Sequence, residues 1–88
     1  MATDKVLIVD DDTAVLKLIA KVMKSNELDC DTAESGEEAL KLLSENTYAL
    51  MLLDINLGGM DGFEVIERVR NDGNRIPIFI ISGRKEDY

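Results

Sequence analysis

Four short apolar runs punctuate the chain: Lys5–Val9, Leu28–Ala33, Tyr48–Leu53 and Ile76–Ile81. They are rich in β-branched, leucine and aromatic residues and read as strands. Between them, apolar residues recur at three- and four-residue spacing, the period of an amphipathic helix. Asp12 is placed to cap a first helix with an apolar face of Val15, Leu18, Ile19 and Val22. Ser35 and Glu38 have capping-box spacing at the start of a second, whose stripe is Ala39, Leu40, Leu42 and Leu43. A third spans Gly62 to Asn71, with Phe63, Val65, Ile66 and Val69 apolar and Asp72-Gly73 as its stop signal.

The pattern is β-α-β-α-β-α-β, without repeat, linker or low-complexity segment. Helices between successive strands imply right-handed crossovers and a parallel sheet. Val6–Val9 and Leu50–Leu53 are continuously apolar, as central strands covered on both faces are. Leu28-Asp29-Cys30-Asp31-Thr32 alternates, as an edge strand does. The expected order is 2-1-3-4, an open α/β sheet. Ligands of such sheets bind at the carboxyl ends of the strands, where strand order reverses. Here that place lies between the first and third strands.

Acidic residues stand there. Asp10-Asp11-Asp12 follow the first strand, and Asp54 closes Leu50-Met51-Leu52-Leu53. Crowded carboxylates raise one another's pKa and call for a cation. One acid for chemistry and two to hold a metal is a minimum set for phosphoryl transfer onto a carboxylate. Each acid also has a plainer role: Asp12 as a helix cap, Asp10 and Asp11 in a solvated loop, Asp54 in a turn. Gly58, Gly59 and Gly62 imply a tight loop needing unusual backbone angles. That loop is a surface turn or a device that points a backbone carbonyl at a metal. Ser82-Gly83 follows the fourth strand at the same sheet edge as Asp54. Its hydroxyl either caps a helix or bonds a phosphoryl oxygen. Pro77 lies near a strand start, where a missing N–H is tolerated.

Composition narrows the chemistry. The chain has 88 residues, 45% of them hydrophobic, enough for one small globular domain. It has no histidine, so His-based catalysis and His-ligated zinc are excluded. Any metal is bound by oxygen, which points to Mg²⁺, Mn²⁺ or Ca²⁺. A net charge of −8 without a basic patch argues against nucleic-acid binding by this chain. No apolar stretch is long enough to span a membrane and no signal-peptide pattern opens the chain. The single cysteine, Cys30, fits a reducing cytoplasm.

With these residues in view, the chain resembles the receiver domain of two-component response regulators. Val6-Leu7-Ile8-Val9-Asp10-Asp11-Asp12 looks like the family's first strand and acidic pair. Leu52-Leu53-Asp54-Ile55-Asn56-Leu57 followed by Met60-Asp61-Gly62 looks like its phosphoacceptor strand and loop. Pro77-Ile78-Phe79-Ile80-Ile81-Ser82-Gly83 looks like its fourth strand and switch hydroxyl. The resemblance implies a flavodoxin-like fold and a phosphorelay role. Asp54 would accept phosphate from a histidine kinase or phosphotransfer protein. Asp10 and Asp11 would hold Mg²⁺, or Mn²⁺, with Asp54 and the carbonyl of Asn56. Ser82 would bond the phosphoryl group, and Asn56 and Arg84 match positions that tune its lifetime. Such a domain is no enzyme beyond assisting its own phosphorylation and dephosphorylation.

Two departures from the family matter. It usually carries Pro where this chain has Gly58. It also continues with a fifth strand ending in a phosphate-pairing Lys and with two last helices. No lysine here fits that role: Lys5 begins the first strand at its opposite end, and the others lie outside any strand end facing the pocket. Residues 1–88 therefore read as a single incomplete receiver domain with its fourth strand an exposed apolar edge. The expectation is a homo-oligomer through that strand, or pairing with a complementary fragment. The competing reading is a receiver fragment that assembles and is inactive in phosphotransfer. A metal-dependent phosphatase with an Asp nucleophile would want an acid where Asn56 stands.

Overall fold

The computed structural model describes residues 5–81; Ser82 and Arg84 fall outside the described residues. The elements are β1 (Val6–Val9), α1 (Thr13–Ser25), β2 (Cys30–Ala33), α2 (Gly36–Glu45), β3 (Leu50–Asp54), α3 (Gly62–Asn71) and β4 (Ile78–Ile81). The strands form one parallel sheet in the order β2-β1-β3-β4, as expected. This is the open parallel α/β sheet that the chain pattern predicts.

The strands begin later than the apolar runs. Tyr48 and Ile76 are buried in the core but precede the paired residues of β3 and β4. Apolarity marks burial, not pairing, so the runs overshoot the ladder. The approach segments still bond the sheet: Val6 N donates to Asp29 O at 3.0 Å and Ala49 N to Lys5 O at 2.7 Å. Pro77 lies just before β4, and its carbonyl accepts from Met51 N at 2.9 Å.

Alternation along the central strands builds two cores. Leu7, Val9, Met51 and Leu53 pack with Ala39 of α2 and with Val65 and Val69 of α3. Val6 and Ile8 pack with Leu16 of α1, joined by Ile19, Met23, Leu50 and Leu52. So α1 covers one face of the sheet, and α2 and α3 cover the other.

The expected face of α1 needs correction. Leu16 is the buried residue, flanked by Ile19 and Met23, whereas Leu18 is 63% exposed and Val22 51%. The helix carries two adjacent apolar lines, and periodicity alone did not decide which meets the sheet. Phe63 of α3 is likewise exposed, while Val65 and Val69 are buried.

The helix starts follow the sequence signals. Asp12 accepts from Ala14 N at 2.9 Å. Ser35 Oγ accepts from Glu38 N at 3.1 Å, and Glu38 Oε1 accepts in return from Glu34 N at 2.8 Å. Asp61 caps α3 by accepting from Glu64 N at 2.9 Å. At the opposite end of the sheet from the acids, Tyr48 Oη donates to Asp31 Oδ2 at 2.6 Å, and Lys5 Nζ lies 3.6 Å from the same oxygen. Burial, then this bond and the charge of Asp31, push the Tyr48 hydroxyl's pKa up. Burial, then Asp31 and Asp29, also raise that of Cys30, which disfavours a reactive thiolate.

The glycines of the β3–α3 loop divide by cause. Gly59 has φ +81°, the left-handed region. Gly62 has no positive φ; it permits a close approach. A Cβ there would lie 2.7 Å from Ile55 Cα and 2.9 Å from Asp54 O. Both are backbone atoms of the strand end that carries Asp54, so they cannot rotate away. Gly62→Ala is expected to lower stability by about 1–3 kcal/mol in urea unfolding. An unchanged midpoint would show that α3 does not press on that strand end.

Candidate functional site

Register builds the site. Val9 of β1 pairs with Leu53 of β3, so one further residue on each strand brings Asp10 beside Asp54. Asp10 N still donates to Ala33 O of β2 at 3.1 Å, which fixes its backbone to the sheet. Asp10 is 5% exposed and Asp54 8%, while Asp11 is exposed. Each of the three offers one carboxylate oxygen, and these oxygens all lie within 4.8 Å of one another.

Local bonds orient the carboxylates. Asp10 Oδ1 accepts from Asp12 N at 2.9 Å. Asp54 Oδ1 accepts from Asn56 N at 3.0 Å, leaving Oδ2 for other partners. Asp11 Oδ2 accepts from Gly58 N at 3.2 Å, across the cleft between the two loops. The β3–α3 loop is itself held, since Ile55 O accepts from both Leu57 N and Gly62 N at 3.0 Å. Asn56 is exposed beside this cluster.

Asp10 records the electrostatic tension. Burial raises its pKa above the ordinary aspartate range, and the charges of Asp54 and Asp11 and a side-chain hydrogen bond with Asp54 add to the rise. The bond from Asp12 N opposes them. An all-oxygen donor set that resists its own negative charge fits a hard divalent cation.

The expected acids Asp10, Asp11 and Asp54 are thus brought together, while Asp12 is a cap rather than a member. The β4 residue Ile81 pairs with Asp54, which sets the end of β4 beside the site. Two features escaped the sequence. One is the Asp61 cap, which was overlooked although the spacing Asp61-x-x-Glu64 signals it. The Gly58 bond to Asp11 carries no sequence signal, because any residue but proline has an N–H.

A family model of the response regulator receiver domain matches residues 6–88. The chain belongs to that family. This receiver domain is 38% identical over 78 residues to the heme response regulator HssR of Staphylococcus aureus; the match covers 89% of the chain and 34% of that relative. It therefore spans about a third of the length of the curated relatives it matches. Among solved structures, a response regulator receiver protein from Pseudomonas putida superposes with TM-score 0.90 at 26% identity, over 97% of this chain and 72% of that one. The response regulator TrrA of Thermotoga maritima, solved in complex with Mg²⁺-BeF, superposes with TM-score 0.87 at 31% identity, over 96% and 73% of the two chains. Among the described residues, no helix is long and apolar enough to cross a membrane.

The raised pKa of Asp10 predicts a pH signature. The folded state holds this proton more tightly than the unfolded chain does. The resulting stabilisation is fully present below the ordinary aspartate range and is lost as pH rises through the raised value. Asn keeps the acceptor for Asp12 N but carries no charge. In metal-free buffer, Asp10→Asn is expected to be more stable than the parent at neutral pH. Its advantage should shrink as pH falls. A variant less stable at pH 7, followed by urea unfolding, would contradict this.

Proposed function

We propose that this receiver domain accepts a phosphoryl group on Asp54 from a histidine kinase or phosphotransfer protein. The observation that carries the reading is the cluster of Asp10, Asp11 and Asp54 at the carboxyl ends of β1 and β3. Asp10, Asp11, Asp54 and the carbonyl of Asn56 would hold Mg²⁺, with Mn²⁺ as a substitute. When bound, the ion supplies positive charge against the phosphoryl oxygens.

Asn56 N binds Asp54 Oδ1, which supports Oδ2 as the attacking oxygen. As the Oδ2–P bond forms, the bond from phosphorus to the donor histidine nitrogen breaks, and its electron pair returns to the imidazole. The product is an aspartyl phosphate. Asp10 and Asp11 would keep the cation beside the transferring group, and the buried strand end limits water there. Ser82, the residue after the strand paired to Asp54, would bond the phosphoryl oxygen. Asn56 and Arg84 would set the lifetime of the acyl phosphate. The added charge of about −2 then biases the surrounding loops. The domain acts on its own phosphorylation and dephosphorylation and on no separate substrate. Such a phosphorelay operates in the cytoplasm.

A second reading, self-association, rests on β4. Phe79 is 57% exposed and Ile80 48%, and among the described residues no strand pairs with the outer edge of β4. Sedimentation of the chain is expected to show dimers that a Phe79→Lys substitution dissociates; a monomer at all concentrations contradicts it.

The phosphoacceptor reading is tested by intact-mass spectrometry after incubation with a small phosphodonor. One phosphoryl adduct is expected with Mg²⁺, none after chelation, and none in Asp54→Asn. An adduct that persists in that variant would move the assignment to another residue.

A further inference from the structure

The geometry points to Gly58 as a positioning residue whose backbone N–H holds Asp11 in ligating position; this rests on the metal-site reading above. Asp10 and Asp54 are buried and have nowhere else to go, but Asp11 is exposed. An exposed carboxylate beside two others gains by swinging into water, away from the repulsion. Asp11 does not swing out. One of its oxygens stays within 4.8 Å of ligand atoms of Asp10 and Asp54. Its Oδ2 accepts from Gly58 N at 3.2 Å, from a residue that follows β3 rather than β1.

The donor is itself fixed. The loop carrying Gly58 starts at Asp54 in the sheet, closes through Gly62 N to Ile55 O at 3.0 Å, and ends at the Asp61 cap. A donor held in this way orders the carboxylate before any cation arrives, so less side-chain freedom is lost on binding. The N–H also places partial positive charge against Asp11. The absence of a side chain at Gly58 is not the cause. A Cβ there would meet only Asp11 Oδ2, at 3.7 Å, which is ordinary contact, and φ is not in the left-handed region. Alanine therefore keeps the bond, and proline removes its donor.

The test is calorimetric titration of Mg²⁺ into the parent chain, Gly58→Ala and Gly58→Pro, each checked for folding by circular dichroism. Gly58→Ala is expected to bind as the parent does, and Gly58→Pro about fivefold more weakly, the scale of one partly exposed charge-assisted hydrogen bond. Equal or tighter binding by a folded Gly58→Pro overturns the inference while the metal site stands. No binding by the parent overturns the metal-site reading and the inference with it. Amide exchange supplies a second measurement that does not need the proline variant to fold. In Asp11→Ala the Gly58 amide should exchange faster, while the Asn56 amide, bonded to Asp54, should not change. Unaltered Gly58 exchange overturns the inference.

Discussion

Parallel pairing of β1 with β3, in the register that sets Val9 against Leu53, forces Asp10 and Asp54 to leave the sheet side by side. Neither can retreat. Asp10 is bound through its backbone to β2, and Asp54 is the last residue of a central strand. The apolar packing of both strands therefore holds two carboxylates where their charges oppose each other. Burial is the larger part of that cost, and the neighbouring charges add to it, as the raised pKa of Asp10 records. A fold that keeps such a pair carries a built-in demand for positive charge at one place.

The rest of the structure serves this juxtaposition. The Asp12 cap turns the chain into α1 directly after the acidic pair and leaves Asp11 facing the cleft. Gly62 allows α3 to begin against the backbone of Ile55, which keeps the β3–α3 loop short and returns Gly58 toward Asp11. The site is thus assembled from three strand and helix ends, with side-chain carboxylates as its working groups and backbone N–H groups as their orienting partners.

Much of this was legible because its causes are local. Strand order followed from apolar content: the central strands read as uninterrupted runs, and β2, an edge, alternates. The caps at Asp12 and Ser35 followed from their side chains and spacing. What was not legible depends on distant parts of the chain. The buried line of α1 is chosen by the sheet, and Leu16 and Leu18 are equally apolar in sequence. Strand starts were misplaced because Tyr48 and Ile76 are buried without pairing. Gly62 read as a turn former, although its reason is a neighbour's backbone. The Gly58 clasp is a backbone contact between segments far apart in the chain, and no side chain announces it.

The central claim is that the three carboxylates form a site under electrostatic tension that a divalent cation relieves. The most direct measurement is the thermal unfolding midpoint with Mg²⁺, against a sodium control of equal ionic strength. Ligand binding to the folded state alone raises the midpoint by mass action. The account predicts a rise with Mg²⁺ that exceeds the control and is lost in Asp10→Asn. A midpoint that responds to ionic strength alone, identically in both proteins, would contradict it.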